Sequence, residues 1–175
     1  MTTAPQWMDH TLVWGAHQAV LWACLGFLLR IAWHDFQTFR IRNRDVLILS
    51  AMVALLLALR GFAGIWPDLL AGGLLFGLGF VLWLLRMMGA GDVKLYLPLG
   101  VLVGWALLPV YVVFLLIASL GLLLVLWIAR RAPSQNGPLR ARLAQIAASG
   151  KVPYAVPMAI GAIVTLLPQA FALSG

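Results

Sequence analysis

Residues 95–129 read LYLPLGVLVGWALLPVYVVFLLIASLGLLLVLWIA and contain no charged side chain. As a single helix rising about 1.5 Å per residue, this stretch would be about 52 Å long, whereas the hydrocarbon core of a bilayer is about 30 Å thick. Gly104 and Pro109 lie where the stretch would divide, because both residue types interrupt regular structure. The sequence therefore predicts two membrane-spanning helices joined in a hairpin.

The rest of the chain has the same apolar character. Of its 175 residues, 63% are hydrophobic and only 10% are charged, with a mean hydropathy of +1.01. Soluble proteins contain about 25% charged residues, so this composition indicates an integral membrane protein. Because a spanning helix needs about 20 residues, the length accommodates six spans with short connections. We predict an all-α polytopic membrane protein, a bundle of about six transmembrane helices at residues 13–33, 46–60, 67–85, 93–107, 109–129 and 152–172.

The basic residues are distributed asymmetrically. Six spans place the loops 34–45, 86–92 and 130–151 on one face, and only Arg60 lies on the other. The remaining eleven of the twelve Lys and Arg residues lie in or beside those three loops: Arg30, Arg40, Arg42, Arg44, Arg86, Lys94, Arg130, Arg131, Arg140, Arg142 and Lys151. Short cytoplasmic loops hold such an excess, so we expect these loops in the cytoplasm and both termini outside. This topology explains the net charge of +7 without a nucleic-acid partner.

The loop 130–151 contains a candidate short helix. Leu139, Leu143 and Ile146 recur at helical spacing, with arginines between them. This pattern is typical of a helix lying on an anionic membrane surface, and it is equally compatible with an ordinary solvated linker helix.

All five acidic residues are aspartates, and two of them are candidates for chemistry. Asp35 follows the first span and Asp92 precedes the fourth, so the topology puts both at the same face of the bilayer. Acidic side chains beside hydrocarbon are costly and usually functional. Two carboxylates that share a proton can perform aspartyl proteolysis, in which one activates water and the other protonates the scissile carbonyl oxygen. Asp35 and Asp92 are therefore a candidate catalytic pair.

The segment before Asp92 also has a structural interpretation. Gly89 and Gly91 leave almost no side-chain bulk there, which permits a positive φ or the close approach of another backbone. In the alternative interpretation, Asp92 is only the N-cap of helix four and the glycines supply the turn. Lys94 either offsets the charge of the aspartates or extends toward the lipid headgroups.

Asp35 has an alternative role as well, as an interfacial residue paired with Arg40 or with His34. For the three other acids, helix capping or solvation is the expected role: Asp9, Asp45 and Asp68.

Other chemistries have little support. The three histidines lack metal-ligand spacing, the lone Cys24 excludes a multi-cysteine zinc site, and no GxSxG elbow is present. We therefore predict no metal and no cofactor. A small proton-coupled transporter or channel is the main alternative function, because membrane acids also relay ions. A third possibility is a structural subunit, for which four glycines of span three offer a packing surface: Gly72, Gly73, Gly77 and Gly79.

Three stretches in order resemble the type IV prepilin peptidases, which are GxGD-type aspartyl proteases of the bacterial inner membrane. Residues 89–95, GAGDVKL, look like the signature around the second catalytic aspartate of that family. Residues 35–43, DFQTFRIRN, are similar to the segment that begins at the first, although Arg42 stands where the family usually has proline. Residues 152–162, VPYAVPMAIGA, resemble the last span with its Pro-Tyr pair. The resemblance implies catalysis by Asp35 and Asp92, with supporting or substrate-binding roles for Gly89, Gly91, Lys94, Asn43, Pro153 and Tyr154.

The resemblance also implies a substrate and a location. The substrate would be a prepilin or pseudopilin whose short basic leader is cut off at the cytoplasmic face of the inner membrane. Residues 1–175 would form a single transmembrane peptidase domain without the methyltransferase domain of larger members, similar to the compact form of tight-adherence (Flp-type) pilus systems. Pro153 and Pro157 would either loosen span six and free backbone groups for the substrate or produce kinks with no such role.

Overall fold

A computed structural model describes residues 6–131, 138–149 and 152–171. These residues form helices and no strand, which confirms the predicted all-α class. The helices are α1 (Gln6–Thr38), α2 (Asn43–Leu59), α3 (Ile65–Leu84), α4 (Ala90–Arg131), α5 (Pro138–Ser149) and α6 (Ala155–Ala170). By length and composition, three segments of the described chain can cross a membrane, Leu12–Thr38, Ile65–Leu84 and Ala90–Arg131, and α6 is a shorter apolar helix. The chain is a polytopic helical membrane protein.

Helix α4 contains the long uncharged stretch and is interrupted at Gly104, where φ is 74° and ψ is 166°. Asp92, near the start of α4, lines a cavity with Asp35 at the end of α1. Leu126, near the other end of α4, belongs to a cluster with Phe36, which is also at the end of α1. A straight helix would separate Asp92 from Leu126 by about 50 Å, so the chain reverses at Gly104. The predicted hairpin is confirmed at Gly104, whereas Pro109 lies within the second helical half.

Asp68 stabilises this reversal from the start of α3. Its Oδ1 accepts a hydrogen bond from the Trp105 amide at 3.3 Å, and its Oδ2 pairs with Arg60 Nη2 at 2.9 Å. A methyl group on Gly104 would lie 2.6 Å from Asp68 Oδ1. Asp68 therefore caps the second half of α4. The expected cap at the start of its own helix is not found, because Gly64 is the N-cap of α3.

Helices α3 and α4 approach closely through glycines. A methyl group on Gly100 would lie 2.7 Å from the Gly72 Cα, and one on Gly79 would lie 2.7 Å from the Tyr96 ring. Gly73 has open space around its Cα. The glycine surface of span three is thus used in part for packing inside this protein.

Helix α5 confirms the predicted short helix, and it docks on the protein. Ile146 and Ala147 are buried and pack in one cluster with Leu126 of α4. Arg130 of α4 donates from Nε to the Ala147 carbonyl at 2.7 Å. Leu143 and Ile146 of α5 therefore pack against other helices, a contact that neither interpretation of this segment included.

Candidate active site

A cavity of about 580 Å³ lies where the end of α1, the start of α4 and the segment before α6 meet. It contains both candidate aspartates, whose side chains are buried, with 4% exposure for Asp35 and 8% for Asp92. The other lining residues are Phe39, Arg40, Ile41, Arg86, Met87, Met88, Gly89, Ala90, Gly91, Val152 and Tyr154. The fold thus brings together two acids from different helices.

Asp35 is held by the beginning of α6. Its Oδ2 accepts a hydrogen bond from the Ala155 amide at 3.2 Å. First-turn amides of a helix have no intrahelical partner and carry partial positive charge, so they favour a carboxylate. Pro153 is buried before the helix begins, and Tyr154, the residue before Ala155, lines the cavity. Pro153 therefore neither kinks nor loosens the helix, and the turn that it forms with Tyr154 leads to the amide that meets Asp35.

Asp92 occupies the third position of α4 and is not its N-cap, which corrects the structural alternative considered above. Its Oδ2 accepts a hydrogen bond from the amide of Gly89, the residue before the helix, at 3.2 Å. This contact is one half of a capping box, in which the third helical side chain reaches back to the N-cap amide. One carboxylate oxygen of Asp92 thus caps the start of α4, and the side chain still lines the cavity.

The two glycines of the GxGD segment have close neighbours. A methyl group on Gly89 would lie 2.9 Å from Asp92 Oδ2, and one on Gly91 would lie 3.2 Å from the Ile41 Cβ. Neither glycine has a positive φ. Of the two reasons considered for glycine here, the close approach of another backbone applies at Gly91, where the Ile41 backbone lies near, and the neighbour of Gly89 is the Asp92 side chain.

Neither cavity aspartate forms an ion pair among the described residues. The alternative in which Asp35 pairs with Arg40 or His34 is not found, because His34 Nδ1 hydrogen-bonds the Arg40 carbonyl at 3.0 Å instead. Asp45 differs from its expected capping or solvated role, since it is 2% exposed and its Oδ1 pairs with Arg30 Nη1 at 2.9 Å. Asp45 thus forms an ion pair, whereas the cavity aspartates form none in the described residues, although Arg40 and Arg86 line the same cavity.

Lys94 and Asn43 lie apart from the aspartates. Lys94 Nζ donates to Asn43 Oδ1 at 3.1 Å, which links α4 to the start of α2. Both residues line a separate, mainly apolar groove of about 440 Å³. Lys94 therefore forms no ion pair with the aspartates, and it is exposed beside Asn43.

Sequence reasoning missed the left-handed backbone around the cavity. Phe39 has a φ of 53° and Arg86 a φ of 59°. The Phe39 amide donates to the Asp35 carbonyl at 2.7 Å, which is the hydrogen bond of an αL helix cap usually made by glycine. The left-handed conformation costs about 1–2 kcal/mol for such residues, so tertiary contacts must hold it. No glycine or asparagine marks either position, and the Ala155 amide likewise carries no side-chain signal.

Comparison with known proteins gives one family. Residues 22–128 match the model of the Type IV leader peptidase family, a range that contains Asp35 and Asp92 and ends before α6. No curated protein and no solved structure matches the chain. Within the described part of the chain, no group of three or more His, Cys, Asp or Glu side chains could hold a metal ion.

Proposed function

This chain belongs to the type IV leader peptidase family, and from that membership we propose that it is an aspartyl endopeptidase with Asp35 and Asp92 as its catalytic pair. The observation that supports the proposal best is the position of both carboxyls in one cavity. They come from different helices, both are buried, and neither forms an ion pair with a described residue. Burial of acids in this way is costly, and a shared catalytic proton accounts for it.

The geometry suits a water-activating pair. Each aspartate accepts a hydrogen bond from a backbone amide at one oxygen, Oδ2, from Ala155 in one case and from Gly89 in the other. The ionised carboxylate would take a proton from water as that water attacks the scissile carbonyl carbon. The protonated partner would donate its proton to the carbonyl oxygen. The titration belongs to the pair, so we assign neither role to one residue.

We propose a prepilin or pseudopilin as the substrate, cut where its basic leader meets its apolar helix. The cavity lies at the helix ends that carry most of the basic residues, which is the end expected in the cytoplasm. Cleavage at the cytoplasmic face of the bacterial inner membrane agrees with this position.

Single Asp35→Asn and Asp92→Asn variants test the proposal. Each substitution removes the acid-base group, so we expect prepilin cleavage in membranes to fall by about 10²–10⁴-fold. Asp45→Asn is the matched control, because Asp45 is a buried acid near the same end that is paired with Arg30. It should lower the amount of folded protein while cleavage per folded molecule remains.

Full cleavage by either variant would remove that aspartate from the mechanism. A reconstituted protein that shows no cleavage, but carries a pH-driven flux abolished by Asp92→Asn, would instead support the transporter alternative.

A further inference from the structure

The side chain of Arg142 joins α5 to the end of α1. Its Nε donates to the Phe36 carbonyl at 3.1 Å, and its Nη2 donates to the Gln37 carbonyl. Its guanidinium also lies 5.0 Å from the centre of the Phe39 ring. The last four carbonyls of a helix have no intrahelical donor, so Arg142 satisfies two groups that would otherwise need water or another partner.

These contacts surround the backbone turn that follows Asp35. The Phe39 amide closes that turn on the Asp35 carbonyl, and the left-handed φ of Phe39 is unfavourable for a residue with a Cβ. Phe36, Phe39 and Val152 pack in the same cluster as Ile146 of α5. Phe39 and Val152 also line the cavity. Helix α5 therefore packs against residues that line the cavity of the aspartates, on the side away from the cavity.

We infer that Arg142 is a positioning residue for Asp35, acting through the left-handed turn at Phe39. The inference rests on the proposed aspartyl peptidase function. Arginine suits this role because its planar guanidinium donates to two carbonyls while its face lies on an aromatic ring. The compact ammonium of lysine carries the same charge but cannot make all three contacts.

The test uses the full chain in membranes or detergent with a prepilin substrate. We expect both Arg142→Ala and Arg142→Lys to lower kcat about 10-fold or more with little change in KM, because misplacement of a catalytic group slows the chemical step. Arg44→Ala is the control, since Arg44 is an exposed arginine at the start of α2. Rates are normalised to the folded, monodisperse fraction, so that a loss of folded protein does not count as a loss of kcat.

Hydrogen–deuterium exchange supplies a readout that needs no substrate. The peptide covering residues 35–41 should exchange faster in both Arg142 variants and at the wild-type rate in Arg44→Ala. Unchanged exchange would overturn the inference, as would faster exchange accompanied by an unchanged kcat.

A Phe39→Gly background tests whether Arg142 acts on Asp35 through the Phe39 turn. Glycine adopts a positive φ without penalty, so the turn would depend less on Arg142 there. Arg142→Ala should then lower kcat by a smaller factor than in the wild-type background. An equal loss in both backgrounds would overturn the role of the Phe39 turn.

The two proposals fail in different ways. Wild-type kcat in folded Arg142 variants overturns the inference and leaves the aspartyl mechanism intact, provided that Asp35→Asn is inactive. Normal cleavage by Asp35→Asn overturns the aspartyl mechanism and, with it, this inference.

Discussion

Aspartates have different partners in the cavity and at the turn near Gly104 where α4 reverses. At the turn, Asp68 has an arginine on one oxygen and the Trp105 amide on the other. In the cavity, Asp35 and Asp92 each have one backbone amide, and no described cation lies in salt-bridge contact with either. The comparison shows one residue type in two settings: at the turn its carboxylate has an ion pair and an amide, and in the cavity it has an amide and no ion pair.

Among the variants that keep every cavity acid, the largest expected effect comes from moving a cavity carboxyl. Asp35→Glu keeps the acid but adds one methylene, which displaces the carboxyl from the Ala155 amide and from Asp92. We expect kcat to fall about 10²-fold, because a displacement of about 1 Å is enough for such a loss. Initial rates of prepilin cleavage per folded molecule measure it.

Asp68→Glu is the control for this lengthening, since Asp68 lies away from the cavity. Wild-type kcat in Asp35→Glu would show that the position of this carboxyl is not critical and would weaken the distinction between the two sites.

A smaller effect, on stability alone, is expected at the turn. Asp68→Ala leaves Arg60 and the Trp105 amide without their acceptor, and such losses cost about 2 kcal/mol. The midpoint of thermal unfolding in detergent should fall, while kcat remains at the wild-type value. A loss of kcat with an unchanged midpoint would contradict the structural role assigned to Asp68.

The smallest effect is expected from Arg42→Pro, in the loop between the cavity residue Ile41 and α2. Arg42 has a φ of −77° and a ψ of 137°, angles that proline readily adopts. Proline restricts the unfolded chain, so we expect a gain of about 0.4–1 kcal/mol in the free energy of unfolding. Thermal unfolding of the variant measures it, with Arg42→Ala as the control for loss of charge. Destabilisation by proline but not by alanine would show that the loop needs a different backbone conformation.

Much of this fold was predictable because the relevant signals are local. The uncharged length of residues 95–129 exceeds one bilayer, so a reversal was required, and glycine allowed it at position 104. The periodicity of Leu139, Leu143 and Ile146 likewise predicted α5. The surface on which α5 lies was not predictable, since its partners Phe36 and Leu126 are distant in the chain.

The candidate site likewise has parts that the sequence predicted and parts that it did not. Asp35 and Asp92 were identified as a pair from their depth at one face, and the family match now includes both. Their role in catalysis stays a prediction. The sequence contains no signal for the amide donors of Ala155 and Gly89 or for the left-handed turn at Phe39. Every residue except proline has a backbone amide, and the side chain of Phe39 does not indicate a positive φ.

The amino-acid sequence alone determined that this chain lies in a membrane, that it reverses within its longest apolar stretch, and that two of its acids end up at the same face. Composition and helix length decide these features, because the bilayer imposes a fixed thickness and a high cost for charge. Only the tertiary structure decided which acids form an ion pair and which have only a backbone amide as partner. That outcome depends on which helix ends meet, and packing between distant segments sets those contacts.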